Sequence, residues 1–183
     1  MLSPNFSPFP QIETERLLLR SLTMDDADTL FSLRSNKKVI EHLNRAPDGS
    51  REATKGKMKE ILELQEKNEL IFWVITFKDD PAAMIGNIGY WHIIKEHFRA
   101  EIGYMLHPGH WQKGIMKEAL HAVIKYAFTK MNLHSIEANI NPDNIASGAL
   151  LESCGFTKEA YHRENYYYDG VFYDSVIYSR LNK

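Results

Sequence analysis

Cysteine is nearly absent. Cys154 is the one thiol in 183 residues, so no internal disulfide can form, and the composition fits a reducing compartment. Long apolar runs are missing as well. The stretch Leu70 to Ile75 falls far short of the roughly 18–20 residues that a membrane span requires. Met1 to Pro10 shows no basic region followed by an apolar one, so the expectation is a cytoplasmic protein without a secretory signal. Net charge is −2 with both signs interspersed, which leaves out the basic footprint of a duplex-binding protein. Neither Gly-x-x-x-x-Gly-Lys-Ser/Thr nor Gly-x-Gly-x-x-Gly occurs, and the ATPase and dehydrogenase classes fall away with those loops. No repeat, low-complexity tract or linker divides the chain.

What remains is an ordinary globular composition, 44% hydrophobic and 25% charged, enough to bury one core without metals or disulfides. Three prolines mark residues 1–11 as a loosely held lead-in; residues 12–183 form the domain. Arg16 to Leu22 reads as a strand, and Thr23 followed by Asp26 caps a helix reaching Asn36. Ser50 caps a second helix ending near Lys67. Leu70 to Phe77 and Ala83 to Ile93 read as a hairpin, followed by a strand from Arg99 to Leu106. Leu120, Val123, Ile124, Ala127 and Phe128 place one buried face on a helix from Lys117 to Met131. A strand over Ser135 to Ile140 and a helix over Ile145 to Ser153, stopped at Gly155, come next. Two strands joined at Asp169-Gly170 close the chain.

Chemistry concentrates between Glu101 and Phe156. There the turn Trp111-Gln112-Lys113-Gly114-Ile115-Met116 opens a helix, whose first N–H groups and dipole suit a phosphate or pyrophosphate. Lys113 and Lys117 reinforce that turn. Asn144-Ile145-Ala146-Ser147 and Gly155-Phe156 bracket a short helix.

Together with Glu13-Thr14-Glu15-Arg16-Leu17-Leu18-Leu19-Arg20 and Ala100-Glu101-Ile102-Gly103-Tyr104, these segments resemble the GNAT superfamily of N-acetyltransferases. The likeness is greatest to the ribosomal-protein-alanine N-acetyltransferase branch. It implies a single α/β (α+β) domain: a mixed, strongly twisted sheet of about seven strands, helices on both faces, splayed between the Glu101 and Ile136 strands to take acetyl-CoA. The amides of Gln112, Lys113, Gly114, Ile115, Met116 and Lys117 would hold pyrophosphate. The backbone of Met105, Leu106 and His107 would pair with pantetheine as an added strand, and Asn144 would hydrogen-bond it. Ser147 would protonate or steady the leaving thiolate, because Leu151 stands where many members carry a tyrosine. Met116 also departs from the small residue usual in the turn.

The attacking amine must be neutral, so a carboxylate acting directly or through water has to take its proton. Glu101, Glu137 and Glu164 are the candidates, and the resemblance makes the Leu106 N–H the candidate oxyanion donor. Tyr166 and Tyr168 would form a substrate wall. His107-Pro108-Gly109-His110 lacks a Cys or carboxylate cluster at ligand spacing, so no metal is expected. Cys154 reads as a packing residue. The acceptor expected is a protein or peptide α-amine, with a small-molecule amine such as a polyamine or aminoglycoside as the alternative. A non-catalytic CoA-binding domain is the other class. Nucleic acid and membrane are not expected as partners, and the chain reads as a monomer or homodimer.

Overall fold

The computed structural model describes residues 1–183. Its strands are β1 (Ile12–Glu13), β2 (Leu17–Ser21), β3 (Ile71–Phe77), β4 (Gly86–Ile94), β5 (Arg99–Leu106), β6 (Ser135–Ile140), β7 (Thr157–Tyr168) and β8 (Val171–Leu181). The helices are α1 (Ala27–Ser35), α2 (Lys37–Ile40), α3 (Arg51–Glu66), α4 (Ile115–Thr129) and α5 (Ile145–Ser153). All eight strands join one sheet in the order β1-β2-β3-β4-β5-β6-β8-β7. Every neighbouring pair is antiparallel except β5 with β6. The strand beyond the expected seven is the two-residue β1.

Alternation along the strands feeds two cores. Leu17, Leu19, Trp73, Ile88, Tyr90, Ala100, Ile102 and Ile136 pack with α4 and with Leu151 of α5 on one face. Phe72, Val74 and Met84 pack with Leu30 and Leu33 of α1 and Met58 and Ile61 of α3 on the other. Helices therefore cover both faces, as an alternating mixed sheet requires. No helix is long and apolar enough to cross a membrane.

The N-terminal segment differs from the expected loose lead-in. Leu2 and Phe6 are only 5% and 4% exposed. The Phe6 N–H donates to Asn68 Oδ1 at 2.7 Å, and the Trp73 indole donates to the Pro10 carbonyl at 2.7 Å. Two apolar side chains and three long-range hydrogen bonds, the third from the Leu2 N–H to the Lys95 carbonyl at 3.0 Å, tie down a segment whose prolines suppress helix and strand alike.

Asp48 anchors the loop between α2 and α3. Its carboxylate accepts from Arg34 Nε at 2.7 Å, Thr54 Oγ1 at 2.7 Å and an Arg45 guanidinium nitrogen at 3.0 Å. Burial alone would push this carboxyl up, but the bonds from Arg34, Thr54 and Arg45 hold it below the ordinary value. A folded-state pKa below the unfolded one gives stability that is present above the unfolded value and is lost as pH falls through the folded one. Asp48→Asn should lower stability by about 2 kcal/mol at neutral pH, with the gap to wild type closing below about pH 4. Denaturant melts at both pH values check this; a gap that stays constant on acidification would contradict it.

Candidate active site

β5 and β6 pair through Arg99↔Ser135, Ala100↔Ile136 and Glu101↔Glu137, and then part. β5 stays bonded to β4 as far as Gly86↔Leu106, and β6 stays bonded to β8 as far as Ile140↔Val176. Each strand follows its outer neighbour, so sheet twist opens a wedge between them. This is the expected splay. A cavity of about 430 Å³ lies along it, walled by Tyr104, Met105 and Leu106, by the turn into α4, by Asn144 and Ser147, and by Lys38, Val39, Glu41 and His42.

Strand geometry sorts the β5 backbone. The His107 N–H donates to Ile85 O at 2.9 Å on the β4 side, while the N–H groups of His134 and Ser135 reach Phe98 O on the β6 side. Since these directions alternate, Met105 and His107 address β4, whereas Tyr104 and Leu106 address the wedge. The expectation for three consecutive residues is corrected: of Met105, Leu106 and His107, only Leu106 turns its backbone into the opening. Its carbonyl is already taken by the Trp111 indole at 2.7 Å, which leaves the N–H. Met105 contributes its side chain to the wall.

Gly114 holds φ 72°, ψ 3°, and α4 starts at the next residue, two positions earlier than its apolar period suggests. Gln112 is also left-handed, at φ 58°. The first i to i−4 bond runs from the Glu118 N–H to Gly114 O at 3.1 Å, so the amides of Ile115, Met116 and Lys117 have no such partner. Ile115 and Met116 bury their side chains, and the thioether of Met116 is thus compatible with a donor backbone. The Lys113 side chain turns away from the cavity. Its ammonium donates back to Gly109 O at 2.7 Å and stays outside the cavity wall, which Lys117 joins.

The titratable groups divide between the two faces of the sheet. Trp91 lies opposite Glu101 and packs on the α1/α3 core, so Glu101 and its neighbour Glu137 share that face at the apex of the wedge, just beyond the cavity wall. His92 bulges from β4 at φ 45°, and its Nδ1 meets Glu101 Oε2 at 2.7 Å. Glu137 pairs with Arg99 at 3.5 Å. On the α4/α5 face the Tyr104 hydroxyl lies 2.7 Å from Ser147 Oγ, and Ser147 is 9% exposed. Burial pushes the Tyr104 phenol up to about 12 against the smaller opposing effect of the Ser147 bond. Asn144 caps α5 by accepting from the Ser147 N–H at 3.1 Å, which commits its oxygen and leaves its amide nitrogen for a ligand.

Other expected residues are not brought together. Glu164 sits in edge strand β7, separated from β6 by β8, with its N–H on Asp174 Oδ1 at 2.8 Å. It does not join Glu101 and Glu137. Tyr166 is exposed opposite Tyr173. Tyr168 faces Arg45 of the α2–α3 loop closely enough to act on its charge, but neither tyrosine lines the cavity. Cys154 is buried, and burial pushes its thiol up, in keeping with packing. Tyr104 and His92 carried no sequence signal of their own: the first alternates with Ala100, Ile102 and Leu106 like any core aromatic, and the second depends on a bulge.

The family model described as "Acetyltransferase (GNAT) domain" matches residues 16–157. The chain is 36% identical over 155 residues to the uncharacterized N-acetyltransferase YoaA of Bacillus subtilis (strain 168), covering 85% of this chain and 87% of that one. To the [ribosomal protein uS5]-alanine N-acetyltransferase of Escherichia coli (strain K12) it is 30% identical over 158 residues, covering 84% and 81%. The solved spermidine N-acetyltransferase from Vibrio cholerae, in complex with CoA and spermine, superposes with a TM-score of 0.81 at 23% identity, over 92% of this chain and 96% of that one. The chain belongs to the GNAT family and is an N-acetyltransferase that uses acetyl-CoA.

Proposed function

We propose that the chain acetylates a protein or peptide N-terminal α-amine by direct attack of the neutral amine on the thioester. The observation carrying this reading is the division of the wedge: carboxylates on the α1/α3 face, a hydroxyl pair on the α4/α5 face. The amine reaches the thioester carbon past Glu101, which takes its proton directly or through water, and the Leu106 N–H donates to the developing oxyanion. Pyrophosphate rests on the amides of Gln112 to Lys117, and Asn144 donates to pantetheine.

Two arguments favour an α-amine. At pH 7 on the order of a tenth of α-amines are neutral but fewer than about one lysine in a thousand, given pKa values of ~7.7–8.0 and ~10.4. A weak base suffices for the former. A polycation, in turn, calls for uncompensated negative charge, and one of the two apex carboxylates, Glu137, is already paired with Arg99. The uS5-alanine enzyme among the relatives agrees with the first acceptor, and the spermidine enzyme keeps the second in the test. In competition at pH 7, followed by CoA thiol release, peptides with free Ala or Ser N-termini should outcompete N-blocked lysine peptides and spermine. A preference for either of the latter would overturn the choice.

A further inference from the structure

We infer that Arg16 is a positioning residue for the phosphate half of acetyl-CoA, acting through the Lys113 carbonyl; this rests on the phosphate role proposed for the turn before α4. Arg16 Nε meets Glu118 Oε2 at 2.7 Å. Glu118 Oε1 in turn accepts from Thr14 Oγ1 at 2.5 Å and from the Arg16 N–H at 2.9 Å. Burial would raise the Glu118 carboxyl, yet the bonds from Thr14 and Arg16 hold it low, so the clamp stays ionised. One terminal guanidinium nitrogen donates to Lys113 O at 3.1 Å, and the other stands 3.6 Å from the position a Cβ on Gly114 would take.

A trans peptide carries its C=O and the following N–H on opposite sides. Holding the Lys113 oxygen toward Arg16 therefore turns the Gly114 N–H away from Arg16, and Gly114 helps to form the cavity wall whereas Arg16 does not. Gly114, left-handed at φ 72° and without a Cβ, leaves this peptide able to rotate unless something fixes it. The adjacent Glu118 neutralises the guanidinium, so what Arg16 supplies is direction more than charge. Lysine has one ammonium and cannot bridge Glu118 and the Lys113 carbonyl in the same fork geometry.

The measurement is the ratio of kcat/KM for acetyl-CoA to that for acetyl-pantetheine, which carries the thioester without any phosphate. Wild type should favour acetyl-CoA, and Arg16→Ala should cut the ratio about tenfold. Arg16→Lys should fall with it, and Glu118→Gln, a milder loosening of the same clamp, should move the ratio in the same direction. A general loss of folding or of catalytic geometry would lower both substrates together and leave the ratio in place. An unchanged ratio in Arg16→Ala, or one restored by lysine, overturns the inference. Wild type with no preference for acetyl-CoA would instead remove the phosphate assignment beneath it.

Discussion

Glu101→Gln is expected to lower kcat/KM for acetylation by ~10²–10⁴-fold at pH 7. Glutamine keeps the size and one hydrogen bond of the side chain but accepts no proton from the amine. Glu101 stands at the last paired position before the strands part, and His92 holds one of its oxygens, which orients the carboxylate and leaves the other oxygen to accept a proton. Glu137 lies beside it, tied to Arg99, and Glu137→Gln should cost much less. The loss in Glu101→Gln should shrink toward pH 9, because an α-amine of pKa ~7.7–8.0 is by then mostly neutral without help. A Glu101→Gln enzyme within a fewfold of wild type at pH 7, or a larger loss in Glu137→Gln, would move the base elsewhere.

Ser147→Ala is expected to lower kcat by ~10²-fold, the order of effect for removing one donor to a developing anion. Magnitudes decide what this hydroxyl does. A thiol titrates near ~8.5, whereas burial pushes the Tyr104 phenol up to about 12, so passing the Tyr104 proton to a leaving thiolate runs uphill by about three units. We therefore expect the pair to steady the thiolate by hydrogen bonding. In the proposed arrangement Tyr104 donates to Ser147 Oγ, which would free the serine O–H for the sulfur. Tyr104→Phe, which keeps the ring and loses that orientation, should show a smaller fall in kcat, with KM for acetyl-CoA little changed. Were Tyr104→Phe the more damaging variant, the tyrosine hydroxyl itself would be the donor and the order of the pair would reverse.

Features that depend on local period or local turn chemistry were legible from sequence. Ser135–Ile140 and Ile145–Ser153 appear within the bounds their patterns imply, and Asp169-Gly170 turns at φ 48° and 81° as such a pair does. The turn at Gly114 was legible because glycine tolerates a conformation other residues resist. Features that depend on register or distant pairing were not. Thr14 and Arg16 meet Glu118 about a hundred positions away, and nothing in either segment names the other. His92 reaches Glu101 only because an extra residue in β4 shifts the pairing between Trp91 and Ile94. Which backbone groups of Met105, Leu106 and His107 face the wedge is likewise a matter of ladder parity. Lys113 looked like a phosphate ligand from its neighbours, but its long side chain found a nearer carbonyl.

The wedge has a mechanical meaning beyond its shape. β1 to β5 form one plate and β6 to β8 another, and the two strands at the join are paired through three residue pairs. A seam that short gives the two plates little direct bonding next to the candidate site. A cofactor pairing with the open edge of β5, as proposed, would supply the missing length of stitching, and its occupancy and the stiffness of the sheet would then be linked variables.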